Sequence, residues 1–323
     1  MRTLAPKTFR AGPCHFMFAF STCWNSQRHT DGRVMVNEVR ALGFEYAELG
    51  HGTRLSLLDG VLQAVAAGEI KICSLHNFCP LPLGVMGSAP DYYLPSSRDE
   101  DERQCAVRHT LRTIDCAATL GAKVVVLHLG LVAMRDYTMR LLGLYADGRG
   151  ETPKFQRLRD KAQTVRDKKR QKHLDQVYRT LEEVLPRAKE LNVKLGMETR
   201  FSIEEIPDEV EAEEILKRFG TESILYWHDV GHAGVKETLG LMTHEIILER
   251  FRGRTLGMHV QDFAPPAEDH QPPGFGTFDF ARLAPFVTDD MVLAWEIHPE
   301  WKPEEIVKGM KKVHDLLRKP VTV

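Results

Sequence analysis

The feature that most constrains the fold of this chain is a series of eight short apolar runs spread along almost its whole length. Each run is apolar on successive residues, which is typical of parallel strands that are covered on both faces. The eight predicted strands cover residues 15–21, 44–50, 71–77, 123–130, 194–199, 224–230, 255–263 and 291–298. Between them lie segments with apolar residues at three- and four-residue spacing, as expected for helices with one buried face.

Strands that alternate with helices predict an α/β protein, and eight repeats favour a closed (β/α)8 TIM barrel over an open sheet. No GxGxxG or Walker A motif follows any of the strands, so the usual signature of an open nucleotide-binding sheet is missing. We expect residues 1–323 to form a single domain. Two long connections, 78–98 and 131–170, leave the carboxyl ends of strands and are expected to cover that face of the barrel.

Charge narrows the class of partner. The formal net charge is −2 and the sequence pI is about 6.7, whereas a protein that binds nucleic acid more often has a clear basic excess. A small-molecule substrate is therefore favoured over nucleic acid. Segment 154–173 is nevertheless dense in Lys and Arg. Two interpretations of this segment remain open, a solvated helix face and a basic lid over an anionic substrate.

Cysteine usage and hydropathy bear on the compartment. The six cysteines form no CxxC pair, so a disulfide framework is not expected and a reducing compartment fits better. The N-terminal segment lacks the long apolar region and cleavage site of a secretory signal. No run approaches the roughly 18 apolar residues that a membrane span needs. We therefore expect a cytoplasmic protein without a membrane partner. The oligomeric state remains open, and a homo-oligomer is one alternative.

Acids and histidines recur near the ends of the predicted strands, inside otherwise apolar runs. These residues are His76, His128, Glu198, Asp229, His232, His259 and Glu296. Each histidine alone could be satisfied by hydrogen bonds within the barrel, and Asp229 alone could cap a helix. Glu198 and Glu296 are harder to explain, because a buried carboxylate is costly unless a metal or partner neutralises it. Convergence on one barrel mouth predicts a divalent metal site, and oxygen and imidazole ligands suit Mn²⁺, Mg²⁺, Co²⁺ or Zn²⁺.

In this order the residues resemble the xylose isomerase-like TIM-barrel superfamily, over nearly the whole chain. Segment 274–280, GFGTFDF, also resembles the Gly-x-Gly turn that the family has before the seventh helix. The resemblance implies that Glu198, Asp229, His259 and Glu296 hold one ion, with Mn²⁺ expected first and the other three ions as alternatives. It also implies that Glu198 and Glu296 move protons in an isomerase or epimerase that acts on a sugar, a sugar phosphate or a keto-polyol.

Further residues are assigned to the substrate or to additional ions. We expect His76, His128, His232 and Arg200 to bind a sugar-like substrate. In the endonuclease IV branch of the superfamily further ligands hold more metal ions, which implies Glu268 and His270 as an additional pair. That branch has aspartate where Glu268 stands. A phosphodiesterase of the endonuclease IV type and a lyase of the inosose dehydratase type remain alternative functions, and a non-catalytic metal-bound barrel is a third.

Overall fold

The computed structural model describes residues 17–85 and 87–317. Its strands are β1 (Met17–Ser21), β2 (Tyr46–Leu49), β3 (Lys71–His76), β4 (Val124–Leu127), β5 (Lys194–Glu198), β6 (Ile224–Asp229), β7 (Thr255–Val260), β8 (Asp262–Ala264), β9 (Glu268–Gln271) and β10 (Val292–Trp295). Eight of them close a parallel barrel in the order β1-β10-β7-β6-β5-β4-β3-β2, while β8 and β9 form a separate antiparallel pair. The predicted (β/α)8 barrel is confirmed.

Helices connect the strands around the outside of the barrel. They are α1 (Gly32–Ala41), α2 (Leu58–Ala66), α3 (Glu100–Thr119), α4 (Thr138–Ala146), α5 (Pro153–Glu190), α6 (Glu209–Phe219), α7 (Val230–Thr238), α8 (His244–Arg250) and α9 (Pro303–Leu317). Several begin at a side chain that accepts backbone N–H groups. Asp208, for example, forms a capping box with Glu211 at the start of α6. Gly121 comes just after α3 with a φ of 76°, the left-handed conformation that glycine commonly adopts past the end of a helix.

The barrel interior is filled by small residues around one large ring. Trp227 of β6 is fully buried in a cluster with inward-facing residues of β1, β4 and β10. Glycine at position 257 makes room for it, since a Cβ there would lie 2.4 Å from both the Trp227 ring and the carbonyl oxygen of Val292. The Trp227 ring meets that of His259 edge-on, with centroids 5.0 Å apart. This packing supports the end of β7 from below.

The connection predicted as a long loop at 131–170 is largely helical, which corrects that prediction. It contains α4 and the first half of α5, a helix of 38 residues. Arg166 of the basic run pairs with buried Glu211, and Arg170 pairs with Glu214. These two basic side chains therefore fix α5 to α6, and local sequence could not show this because the acids are far away along the chain.

Some expectations fall outside the described residues. Residues 1–16, which include Cys14 and the start of the predicted first strand, belong to this group. The five other cysteines are free thiols, as expected. Within the described ranges, no helix has the length and apolar character needed to cross a membrane.

Candidate metal centre

Four side chains from neighbouring barrel strands converge at the carboxyl ends of the strands. Glu198 ends β5, Asp229 ends β6, His259 lies in β7 and Glu296 directly follows β10. Their ligand atoms all lie within 4.8 Å of one another, and all four residues are buried. Nδ1 of His259 is 2.7 Å from a Glu198 oxygen, 3.0 Å from a Glu296 oxygen and 3.5 Å from an Asp229 oxygen. The structure thus brings together the four residues assigned to one ion.

This donor set fits a divalent cation. The side chains are at most 4% exposed, and three carboxylates are costly to bury without a neutralising charge. Burial disfavours a charged His259 ring, but Glu296, Glu48 and Glu198 outweigh burial and hold the pKa of His259 well above its ordinary value. The proton on His259 therefore supplies a positive charge next to all three carboxylates. A bound cation would replace it, with oxygen and imidazole ligands that Mn²⁺ and Zn²⁺ both accept.

Asp229 also caps a helix. One of its oxygens accepts a hydrogen bond from the backbone N–H of His232 at 2.7 Å, at the start of α7. The side-chain amide of Gln261 donates to both Asp229 oxygens at 2.9 Å. Helix capping and metal binding are compatible here, because a carboxylate has about four lone-pair sites. The ring of His232 is anchored as well, since its Nδ1 lies 2.9 Å from the carbonyl oxygen of Thr199.

Two of the residues predicted to bind substrate, His76 and His128, contact Glu198. Their Nε2 atoms lie 3.4 Å and 2.7 Å from one Glu198 oxygen, and the three residues form a second buried group that could hold an ion. On the other side of its ring, His128 is 3.1 Å from Asp91. Burial and Arg200 lower the pKa of His128, but Asp91 and Glu198 raise it more, to about 9. In the metal-free site His128 therefore carries a proton at neutral pH.

Arg200, the other predicted substrate ligand, is held by acids of the protein itself. Its guanidinium is 3.2 Å from Glu198 and 3.4 Å from Asp91, and it forms a close ion pair with Glu205. The Nε atom is buried without a hydrogen-bond partner. Arg200 thus lies beside Glu198 as expected, while its two terminal nitrogens are engaged by carboxylates.

The β8–β9 hairpin brings a different acid to the mouth from the one predicted. Nε2 of His270 is 3.8 Å from Glu296, but Glu268, its predicted partner, is exposed. Asp269 takes that place, 3.2 Å from Nδ1 of His270, and joins His270 and His298 in a third group that could hold an ion. His270 has a φ of 53°, in the left-handed region, so the regular alternation that would put residues 268 and 270 on one side of a strand is broken here.

One buried acid at the centre was not predicted. This acid is Glu48, which lies on β2 and is fully buried. One of its carboxylate oxygens is 3.1 Å from Nε2 of His259. The signal for it was available, since an acid inside an apolar strand is the same feature that identified Glu198.

Two more residues of the mouth come from loops. His51, just after β2, lies 3.9 Å from Glu296, and burial together with His76 lowers its pKa to about 3. Asp91 comes from the connection 78–98 and brings a carboxylate to His128. Periodicity predicts strands and helices, so it carried no signal for a side chain in an irregular loop.

Fold and site together define the class of protein. The profile of the xylose isomerase-like TIM barrel family matches residues 36–319, and the chain belongs to this family. The resemblance inferred from the order of the site residues is confirmed. A comparison with curated protein sequences gives no match.

Solved structures with a similar fold include three informative examples. A D-tagatose 3-epimerase-like protein is 17% identical with a TM-score of 0.64, over 93% of this chain and 97% of its own. An L-ribulose 3-epimerase is 14% identical with a TM-score of 0.65, over 94% and 96%. The IolI protein, solved with a bound zinc atom, is 16% identical with a TM-score of 0.63, over 95% and 100%. At these identities the likeness shows the fold alone.

Proposed function

We propose that this chain is a divalent-metal-dependent isomerase or epimerase that acts on a keto-sugar or a related keto-polyol. The observation that carries the proposal is the presence of two buried glutamates, Glu198 and Glu296, within one four-residue donor group. The epimerases among the structures of similar fold, and the zinc atom in one of those structures, support it. Mn²⁺ is the expected ion, with Zn²⁺ as the next choice.

The two glutamates approach a substrate from different directions. Glu198 ends β5 and Glu296 follows β10, and β6 and β7 lie between these strands in the barrel. One glutamate removes the proton next to the substrate carbonyl, and the electron pair of that C–H bond moves towards the carbonyl oxygen. The other returns a proton to the carbon from the opposite face. When bound, the metal ion polarises the carbonyl and acidifies the neighbouring C–H bond.

The charges at the mouth suit this chemistry. Burial opposes ionisation, but His128 and His259 hold the pKa of Glu198 well below its usual value, and His259 and His270 do the same for Glu296. Both glutamates are therefore carboxylates, which is the form that accepts a proton. A proton for the return step is available at His128, whose Nε2 is 2.7 Å from Glu198 and whose pKa is raised to about 9.

The test is incorporation of solvent deuterium into a panel of keto-sugars and keto-polyols, with and without Mn²⁺. Metal-dependent exchange next to the carbonyl is expected, and Glu198→Gln should lower its rate at least about 100-fold while the protein stays folded. Glu268→Gln is the matched control, because Glu268 is exposed on the hairpin and outside the donor group. Near-full exchange by Glu198→Gln, with metal still bound, would remove Glu198 from the mechanism.

A phosphodiesterase of the endonuclease IV type is the second candidate. Three further groups that could hold ions favour it: His51 with His76 and Glu296, His76 with His128 and Glu198, and Asp269 with His270 and His298. Elemental analysis separates the two, since about one ion per chain fits the isomerase and about three fit phosphodiester hydrolysis. Metal-dependent cleavage of abasic DNA, without exchange on any sugar, would overturn the isomerase proposal. Loss of water from a cyclic keto-polyol would instead indicate a lyase.

A further inference from the structure

Glu48 reaches the centre of the barrel through an irregularity in its strand. Along the β2–β3 ladder Ala47 pairs with Ile72, but Glu48 pairs with Ser74, so the register shifts by one residue at this point. A bulge of this kind changes the direction in which the following side chain points. Glu48 and Ser74 are both fully buried. A buried carboxylate beside a metal-binding histidine calls for a chemical explanation.

The contacts of Glu48 connect β3 to the candidate ligand on β7. One of its oxygens accepts a hydrogen bond from the hydroxyl of Ser74 at 2.8 Å. Its other oxygen is 3.1 Å from Nε2 of His259. The opposite ring nitrogen, Nδ1, faces the three carboxylates of the donor group. Glu48 itself is outside every group of residues that could hold an ion among those the structure describes.

The His259 ring is also held on its faces. The ring of His76 stacks on it at a centroid distance of 5.6 Å and an angle of 10°. Trp227 meets it edge-on from inside the barrel. These contacts restrict the ring plane, but they do not decide which nitrogen carries the hydrogen. Only a hydrogen-bond partner at one nitrogen does that, and a ligand histidine commonly has a carboxylate in this role.

We propose that Glu48 is a positioning residue for the metal ligand His259. By accepting the Nε2 hydrogen, Glu48 selects the tautomer in which the Nδ1 lone pair points at the ion, and its charge increases the basicity of the ring. Ser74 holds the Glu48 carboxylate in the orientation that this requires. The inference rests on the proposed metal centre and goes beyond its four ligands.

The experiment measures Mn²⁺ dissociation constants of the full-length chain by electron paramagnetic resonance of the free ion. Glu48→Gln should weaken binding about 10-fold, and Glu48→Leu, which removes the acceptor, about 100-fold. Ser74→Ala should have a smaller effect in the same direction. Glu211→Gln is the matched control, because Glu211 is an equally buried glutamate that contacts Arg166 and not the donor group. It should change stability but not Mn²⁺ affinity.

A second measurement does not depend on any variant folding. In the ¹⁵N spectrum of the parent chain loaded with Zn²⁺, His259 should show a protonated Nε2 and a metal-bound Nδ1. The reverse assignment, or Mn²⁺ affinities of folded Glu48→Gln and Glu48→Leu within about twofold of the parent value, would overturn the role of Glu48 and leave the metal centre standing. A parent chain that binds neither ion would overturn the metal centre and this inference together.

Discussion

Arg166 of α5 holds in place the segment between β5 and α6, which follows Glu198. Replacing Arg166 by methionine tests this role. Its guanidinium donates to the carbonyl oxygens of Ile203 at 2.6 Å and Glu205 at 2.8 Å. It also pairs with Asp208 at 2.7 Å and with both oxygens of Glu211 at 2.7 and 2.9 Å. Arg166 is 3% exposed and Glu211 is fully buried. Methionine keeps much of the apolar stem but leaves Glu211 without its cation.

The magnitude follows from the state that Glu211 can adopt in the variant. Burial raises the pKa of Glu211 above its ordinary 4.5 even beside Arg166, so without Arg166 the buried carboxyl will bind a proton. Protonating a carboxyl whose ordinary pKa is 4.5 costs at most about 3.4 kcal/mol at about pH 7 and less than about 1 kcal/mol at about pH 5. Two backbone carbonyls also lose a donor, at about 1 kcal/mol each. Arg166→Met should therefore lower the free energy of unfolding by about 5 kcal/mol at about pH 7 and by 2–3 kcal/mol at about pH 5.

The assay is urea unfolding of metal-free protein at both pH values. The slope of the free energy of unfolding against urea concentration is compared between parent and variant and should be the same. Arg166→Met combined with Glu211→Gln should lose the pH-dependent part of the penalty, since glutamine is neutral at both pH values. Arg218→Met is the control, because Arg218 and its partner Glu182 are both half exposed and such a pair contributes about 0–1 kcal/mol. The reasoning is refuted if the Arg166→Met penalty is independent of pH, or if it is no larger than that of the control.

Three further predictions concern the site and the core. Mn²⁺ binding at about pH 7 should release a proton, because Glu296, Glu48 and Glu198 hold the pKa of His259 well above its usual value against the effect of burial. Calorimetry in buffers of different ionisation enthalpy should detect this proton. Binding heats that do not vary with the buffer would contradict the prediction. Gly257→Ala should lower the free energy of unfolding by at least about 2 kcal/mol in urea melts, because its Cβ would overlap Trp227; an unchanged midpoint would show that the ring can move. Burial lowers the pKa of His244 to about 4, so its neutral form contributes stability that is present above an unfolded-state pKa of about 6.5 and is lost as the pH falls below it. His244→Gln should therefore lose about 2 kcal/mol less than the parent between about pH 7 and pH 5, and equal losses would mean that His244 does not titrate on unfolding.

Most of the fold could be predicted from the sequence because its signals are local. A strand covered on both faces needs successive apolar residues, and the predicted strand at 71–77 is found at Lys71–His76. The four-residue donor group could also be predicted. In a parallel barrel the carboxyl ends of all strands lie at one mouth, so an acid or histidine at such an end, like Glu198 or Asp229, must approach the others.

What only the tertiary structure decided depends on atoms that are distant along the chain or on single backbone angles. The register shift in β2 directs Glu48 to His259, and apolar patterning does not report a shift of one residue. The left-handed backbone of His270 exchanges Glu268 for Asp269 at the mouth. The partners of the basic run in α5 are acids of the segment before α6 and of α6 itself. Periodicity determines which face of an element is buried, whereas pairing of charged groups depends on which elements become neighbours, and that is settled only when the barrel closes.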